Sequence, residues 1–138
     1  MDTGRSRQSL LARAAVRPAL LAFGAYHLGL GIWMVLGPCS FYEKVAPYGS
    51  FSDHFVRDLA TFYLALGAVQ LVAAARRRWQ LPVIAFTAIQ YALHALNHLW
   101  DIGDTHPRSK GVVNFVVIAL LAAGSWWLLR AAAQEEDR

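Results

Sequence analysis

Two histidines, His94 and His98, stand four residues apart in the segment HALNH, and Gln90, Asn97 and Asp101 extend the same spacing of three and four. On an α-helix that spacing puts all five side chains along one face. Neutral imidazole ligates metals and carries protons near neutral pH, and an i, i+4 histidine pair can share one ion from one helix face. A second ionisable group opens an apolar segment, SDHFVRDLATFYLALG at 52–67, with Asp53, His54, Arg57 and Asp58. Asp53 and Arg57 have the favourable acid-before-base order at i, i+4, whereas adjacent Arg57 and Asp58 diverge and are poor partners. His54, Asp58, Thr61, Ala65 and Ala68 share one helix face. Arg57 falls in the first turns of its helix, where the dipole disfavours a cation. It therefore needs an acceptor: Asp53, Asp101, Asp104 or a bound anion.

The elements that carry these residues are membrane-like. The chain has 138 residues, of which 57% are hydrophobic and only 16% charged, against about a quarter charged in a soluble domain. Its mean hydropathy is +0.34. The termini and three junctions hold most of the charge, leaving apolar stretches of spanning length. We expect one all-α domain over residues 1–138, an antiparallel four-helix transmembrane bundle with spans at about 18–37, 53–75, 81–100 and 111–130. Pro18 suits the first turn of span one, and Ser52 can cap span two. A short interfacial segment with a helical turn at 40–45 joins these spans, followed by a turn at Pro47–Gly49. Its Phe41, Tyr42, Tyr48 and Phe51 suit headgroup depth.

In span one, Leu20, Gly24, His27 and Gly31 share a narrow face, which belongs against other helices because small residues allow close backbone approach. Ala25 and Gly29 offer a second small-residue step. The apolar run from Pro18 to Leu36 exceeds the roughly 7–15 residues of a signal-peptide core, so an uncleaved span is expected. Proline before Cys39 argues against a lipoprotein cleavage site. As the sole cysteine, Cys39 cannot form an internal disulfide. The net charge of +4 has a use in orientation, and nucleic acid is not expected as a partner. Four arginines precede span one and three more, Arg76–Arg78, separate spans two and three. The positive-inside rule then puts both termini in the cytoplasm of a multi-pass plasma-membrane protein.

Antiparallel neighbours would bring the start of span two, the end of span three and the start of span four to one outer level. We expect a single polar cluster there: His54, Arg57, Asp58, His94, Asn97, His98, Asp101 and Asn114. His27 would lie deeper, near Gln90 and His94. Three uses compete. The cluster can be a polar clasp that fixes helix register. It can hold a metal, with His27, His94 and His98 as candidate ligands; a haem between His27 and a span-three histidine is a variant. It can be the polar end of an apolar pocket for a quinone, a lipid headgroup or an organic anion. His106, in a loop before Pro107, reads as solvated.

Phe41-Tyr42, Pro47 and then DHFVRDLATFYLALG resemble the DoxX-like, DoxD-like group of small bacterial membrane proteins. That group carries an RD step early in span two followed by a small, leucine-rich run, here Arg57-Asp58 and Leu64-Ala65-Leu66-Gly67. Some members show a histidine pair near the end of span three, matching His94 and His98. The usual small residue after RD is replaced in part by Leu59-Ala60-Thr61. The resemblance implies a four-helix membrane fold and, through a few members, membrane redox complexes or thiosulfate oxidation with quinone. Quinone reductases of the vitamin K epoxide type need paired cysteines and are excluded by the single Cys39. The expected function is an accessory or structural membrane subunit in the lipid bilayer whose polar cluster fixes packing or docks a membrane protein partner. The alternatives are an oxidoreductase component binding a quinone or metal, or a binder or carrier of a small amphipathic ligand such as a lipid.

Overall fold

A computed structural model describes residues 3–105 and 107–136, with side chains over 14–105 and 107–133. His106 therefore lies outside the described residues. Among those described the chain is helical throughout, with no strand. Five α-helices follow one another: α1 (Thr3–Leu36), α2 (Pro38–Lys44), α3 (Asp53–Ala75), α4 (Gln80–Trp100) and α5 (Arg108–Glu136). A 3-10 turn, Arg77–Trp79, joins α3 to α4.

Among the described residues, three segments are long and apolar enough to cross a membrane: Ala14–Leu36, Asp53–Ala75 and Arg108–Ala133. Much of their surface is apolar and turned outward, including Leu21, Ile32, Val72, Val113, Val116 and Leu120. That is the surface lipid tails would cover. The fourth expected span, α4, is long enough but is not among the three. The stripe from Gln90 to Asp101 interrupts its apolar run.

Helix α1 starts earlier than expected and carries Pro18 in its interior. Residues 3–17 are rich in alanine, leucine and arginine, all strong helix formers. Their propensity carries the helix through a residue that cannot donate to the previous turn. The helix has 34 residues, about 51 Å at 1.5 Å per residue, well beyond the roughly 30 Å of a hydrocarbon core. At α3 the expected cap is present, with Ser52 Oγ accepting the Phe55 N–H at 3.3 Å.

Helix α1 packs chiefly on α3, and α4 on α5. Gly24 faces Gly67 and Leu71, whereas Gly31 faces Leu64, so α1 and α3 run in opposite directions. A Cβ on Gly67 would sit 2.9 Å from the Gly24 carbonyl oxygen, so only glycine permits this approach. The second small step does not pack within the chain, for nothing lies within 4 Å of where a Cβ on Gly29 would be. One apolar core gathers Val16, Leu20, Ala73, Ala74, Ile84 and Leu128. A second holds Met34, Phe41, Val56 and Ala60, the two last residues marking the inward face of α3.

Candidate functional site

Polar side chains meet inside the molecule in two places. The first joins α1, α3 and α4. Gln70 Nε2 donates to Thr87 Oγ1 at 3.0 Å, and Thr87 donates to the Val83 carbonyl at 2.8 Å. Gln70 Oε1 is thereby left to accept from His27 Nδ1–H at 2.7 Å, a proton shared with the Phe23 carbonyl at 2.8 Å. His27 Nε2 then accepts the Tyr91 hydroxyl at 2.8 Å. Relative exposure is 2% or less for His27, Gln70, Thr87 and Tyr91. The hydrogen-bond directions fix one neutral tautomer of His27 and occupy both of its ring nitrogens. Neither nitrogen is left to ligate a metal or a haem.

The second place lies where the end of α4 meets the 38–52 segment and the start of α5. His94 and His98 approach through their Nε2 atoms at 3.0 Å, with ring centroids 4.7 Å apart. Tyr48 Oη lies 3.0 Å from His98 Nδ1, and Asn114 Nδ2 donates both to Tyr48 Oη at 3.3 Å and to the Val45 carbonyl at 2.9 Å. On the other side Gln90 Nε2 lies 3.4 Å from His94 Nδ1. Gln90 Oε1 is buried and has no partner.

The 38–52 segment is tied down locally. Trp33 Nε1 donates to Ser40 Oγ at 2.8 Å, the Tyr42 hydroxyl donates to the Gly49 carbonyl, and Lys110 Nζ donates to the Glu43 carbonyl at 3.1 Å. Gly49 has φ +60°, a left-handed turn that glycine adopts without strain. This strap places Phe41, Tyr42 and Tyr48 over the ends of α3 and α4. A cleft of about 280 Å³ results, lined by Tyr48, Ser52, Phe55, His94, His98 and Asp101 among others. An adjoining cavity of about 160 Å³, toward Tyr26, Tyr63 and Asn114, shares the histidine pair as its wall.

The expected single cluster thus divides. His94, Asn97, His98 and Asp101 line the cleft and Asn114 the adjoining cavity. His54, Arg57 and Asp58 are exposed on the far side of α3. There His54 pairs with Asp58 at 3.3 Å and Arg57 with Asp53 at 3.1 Å, each one turn apart. The periodicity identified one face correctly, since Thr61, Ala65 and Ala68 are exposed with them. That face points outward because the charges satisfy each other along the helix and sit at its end. Among the described residues no three His, Cys, Asp or Glu side chains converge as a metal-binding set. His27, the third metal candidate, belongs to the closed network. Asn97 donates to Asp101 at 3.2 Å.

Compared with family models, curated proteins and solved structures, the chain matches none. Its chemistry is therefore argued from the cleft. Among the described residues that line the cleft, Asp101 is the only formally charged side chain, and none is a lysine or arginine. Tyr48, Gln70, Thr87 and Tyr91 escaped the sequence argument as site residues. The signal for Gln70 and Thr87 was present, since an uncharged polar side chain within an apolar span needs a partner on another helix. Cys39 is exposed on α2, and the Glu43 carboxylate beside it pushes its thiol pKa up.

Proposed function

We propose that the protein is a multi-pass membrane protein whose strap-covered cleft binds a neutral amphipathic molecule through His94, His98 and Tyr48. In this reading α4 crosses the bilayer beside α1, α3 and α5 as the fourth member of an antiparallel bundle, its polar stripe shielded from lipid. The arginines before α1 and between α3 and α4 orient both termini to the cytoplasm of a plasma membrane. The cleft then opens toward the outer side.

One observation carries the ligand reading. A pair of imidazoles with donor and acceptor capacity borders two adjoining, largely apolar cavities, while Arg57 is paired with Asp53 away from them. A carboxylate or phosphate head would meet Asp101 and no counter-charge. A quinone carbonyl, an alcohol or an ester would find hydrogen bonds at the imidazoles and an apolar wall for the rest. The likeness to DoxX-like proteins, some of them tied to quinone-linked oxidation, agrees with a quinone as the occupant. The accessory-subunit reading draws on a different observation. The spanning window of α5 is only 17% buried, which leaves an apolar face for a partner helix or for lipid.

The test is purification in mild detergent, followed by native mass spectrometry and titration with a short-chain ubiquinone analogue. Saturable binding, weakened at least tenfold by His98→Ala and by Tyr48→Phe, is expected. A wild-type protein that neither retains a neutral amphiphile nor saturates with the analogue overturns the reading. Orientation is checked separately with a membrane-impermeant maleimide on intact cells. Cys39 should label from outside, at a pH high enough to ionise its thiol, and a reporter fused after Arg138 should remain inside.

A further inference from the structure

The His94–His98 pair has a feature that ligand hydrogen bonding does not use. A metal-ligating imidazole gives up one nitrogen lone pair and needs an acceptor for the N–H on the other nitrogen. One acceptor is in place and a second is within reach. Tyr48 Oη lies 3.0 Å from His98 Nδ1. Gln90 Nε2, a donor, lies 3.4 Å from His94 Nδ1, while Gln90 Oε1 is buried and unpartnered among the described residues. A half-turn of that amide sets Oε1 against His94 Nδ1–H and turns Nε2 to the position that Oε1 leaves. The two Nε2 atoms, meanwhile, face each other at 3.0 Å.

We propose that His94 and His98 chelate one divalent first-row transition-metal ion, of the Zn(II) or Co(II) class, through their Nε2 atoms. At metal–nitrogen distances of about 2.0–2.1 Å, two ligand nitrogens sit about 3.0 Å apart at right angles and about 3.3 Å apart in a tetrahedron. The pair meets the first spacing as it stands and the second after a small rotation of the rings. Binding replaces the Nε2–Nε2 hydrogen bond, moves the proton of the donor ring to its Nδ1 and so leaves both rings in the Nδ1–H tautomer, which Tyr48 and the turned Gln90 amide accept. Electrostatics favours a cation at this point. Asp101, one turn beyond His98, lines the same cleft, and the negative end of the α4 dipole lies there. The cleft leaves the remaining coordination positions to water or to a ligand atom. This inference concerns the site of the proposed ligand but does not require an organic occupant.

The test uses the full chain in detergent, with any affinity tag removed, titrated with Co(II) and then Zn(II) by calorimetry and visible absorption. One ion per chain with micromolar affinity is expected, with Zn(II) displacing Co(II) and Mg(II) displacing neither. His94→Ala and His98→Ala should each weaken binding at least tenfold. His54→Ala removes the competing exposed pair with Asp58 and should leave binding unchanged. Carbethoxylation mapping of the wild type keeps the test independent of variant folding: Zn(II) should protect His94 and His98 while His54 stays reactive. Millimolar binding only, loss of binding in His54→Ala, or unprotected His94 and His98 overturns the inference. A protein that binds Zn(II) but no quinone would sink the ligand reading alone, and the converse would sink the metal alone.

Discussion

The His27 network and the His94–His98 cleft are made of similar parts. Each contains histidine, tyrosine and a glutamine, and each draws on α4. Their difference lies in how the bonds are used. In the first, three helices converge, each side-chain donor has an acceptor, and the side chains are sealed from solvent. In the second, α4 meets a strap and the start of α5, leaving a carbonyl oxygen unpartnered and imidazole edges beside open volume. A closed polar layer inside a membrane bundle fixes register, because any displaced helix would strand a polar group in an apolar medium. A polar layer with spare hydrogen-bonding capacity can recognise something that is not part of the chain.

The largest effect should come from opening the closed layer. His27→Leu removes the partner of both Gln70 Oε1 and Tyr91 Oη. Each buried group left unsatisfied costs about 1–3 kcal/mol, although interhelical bonds in membranes average nearer 0.6. A net loss of about 2 kcal/mol is expected, measured by reversible unfolding in mixed detergent. Ligand or Zn(II) binding by the surviving folded protein should be unchanged. A variant of wild-type stability that has lost binding would break the comparison, for the sealed network would then serve the site.

A smaller effect tests the seam beside that network. Gly67→Ala pushes a methyl against the Gly24 carbonyl and the Leu28 backbone, at 2.9 Å from each. Overpacking of this kind costs about 1–3 kcal/mol. Gly29→Ala meets nothing within 4 Å and should be neutral or stabilising by up to about 1 kcal/mol through helix propensity. Equal destabilisation by the two would contradict the packing of α1 on α3. It would also indicate that Gly29 faces a neighbour in the membrane.

Much of this arrangement was legible from apolar periodicity. The bounds of α3, the Ser52 cap and the packing role of Gly24 and Gly31 all follow from local residue chemistry, and the helical turn expected at 40–45 is present as α2, which starts two residues earlier at Pro38 and ends at Lys44. The start of α1 does not, because a run of helix-forming residues continues the helix through Pro18. The division of the polar cluster was not legible for a deeper reason. Spacing shows which residues share a helix face, but not which way that face turns. For α4 the stripe turned toward the cleft, with His94 and His98 half-buried and Asn97 exposed. For α3 the charged stripe turned outward, since each charge had a partner one turn away and did not need the bundle. Tyr48 joined the site through a contact between residues 50 apart in sequence, which no local pattern encodes.

Arg57 gives the smallest effect and the most direct test of that lesson. It sits at the start of an apolar helix, where an unpaired guanidinium would be costly, and its partner is Asp53 at 3.1 Å with both side chains about half exposed. An exposed i, i+4 pair contributes about 0.3–0.5 kcal/mol, and the pair draws nothing from the cleft. Arg57→Gln should therefore lower stability by no more than about 0.5 kcal/mol and leave the affinities for the quinone analogue and Zn(II) within twofold of wild type. Raising the salt concentration should shrink the stability difference further, since an exposed pair is screened. A large loss of binding in Arg57→Gln would return the arginine to the cleft and rejoin the polar cluster that the structure divides. A large loss of stability alone would mean that Arg57 has a lipid phosphate or partner carboxylate beyond Asp53, since the intrahelical pair is too weak to account for it.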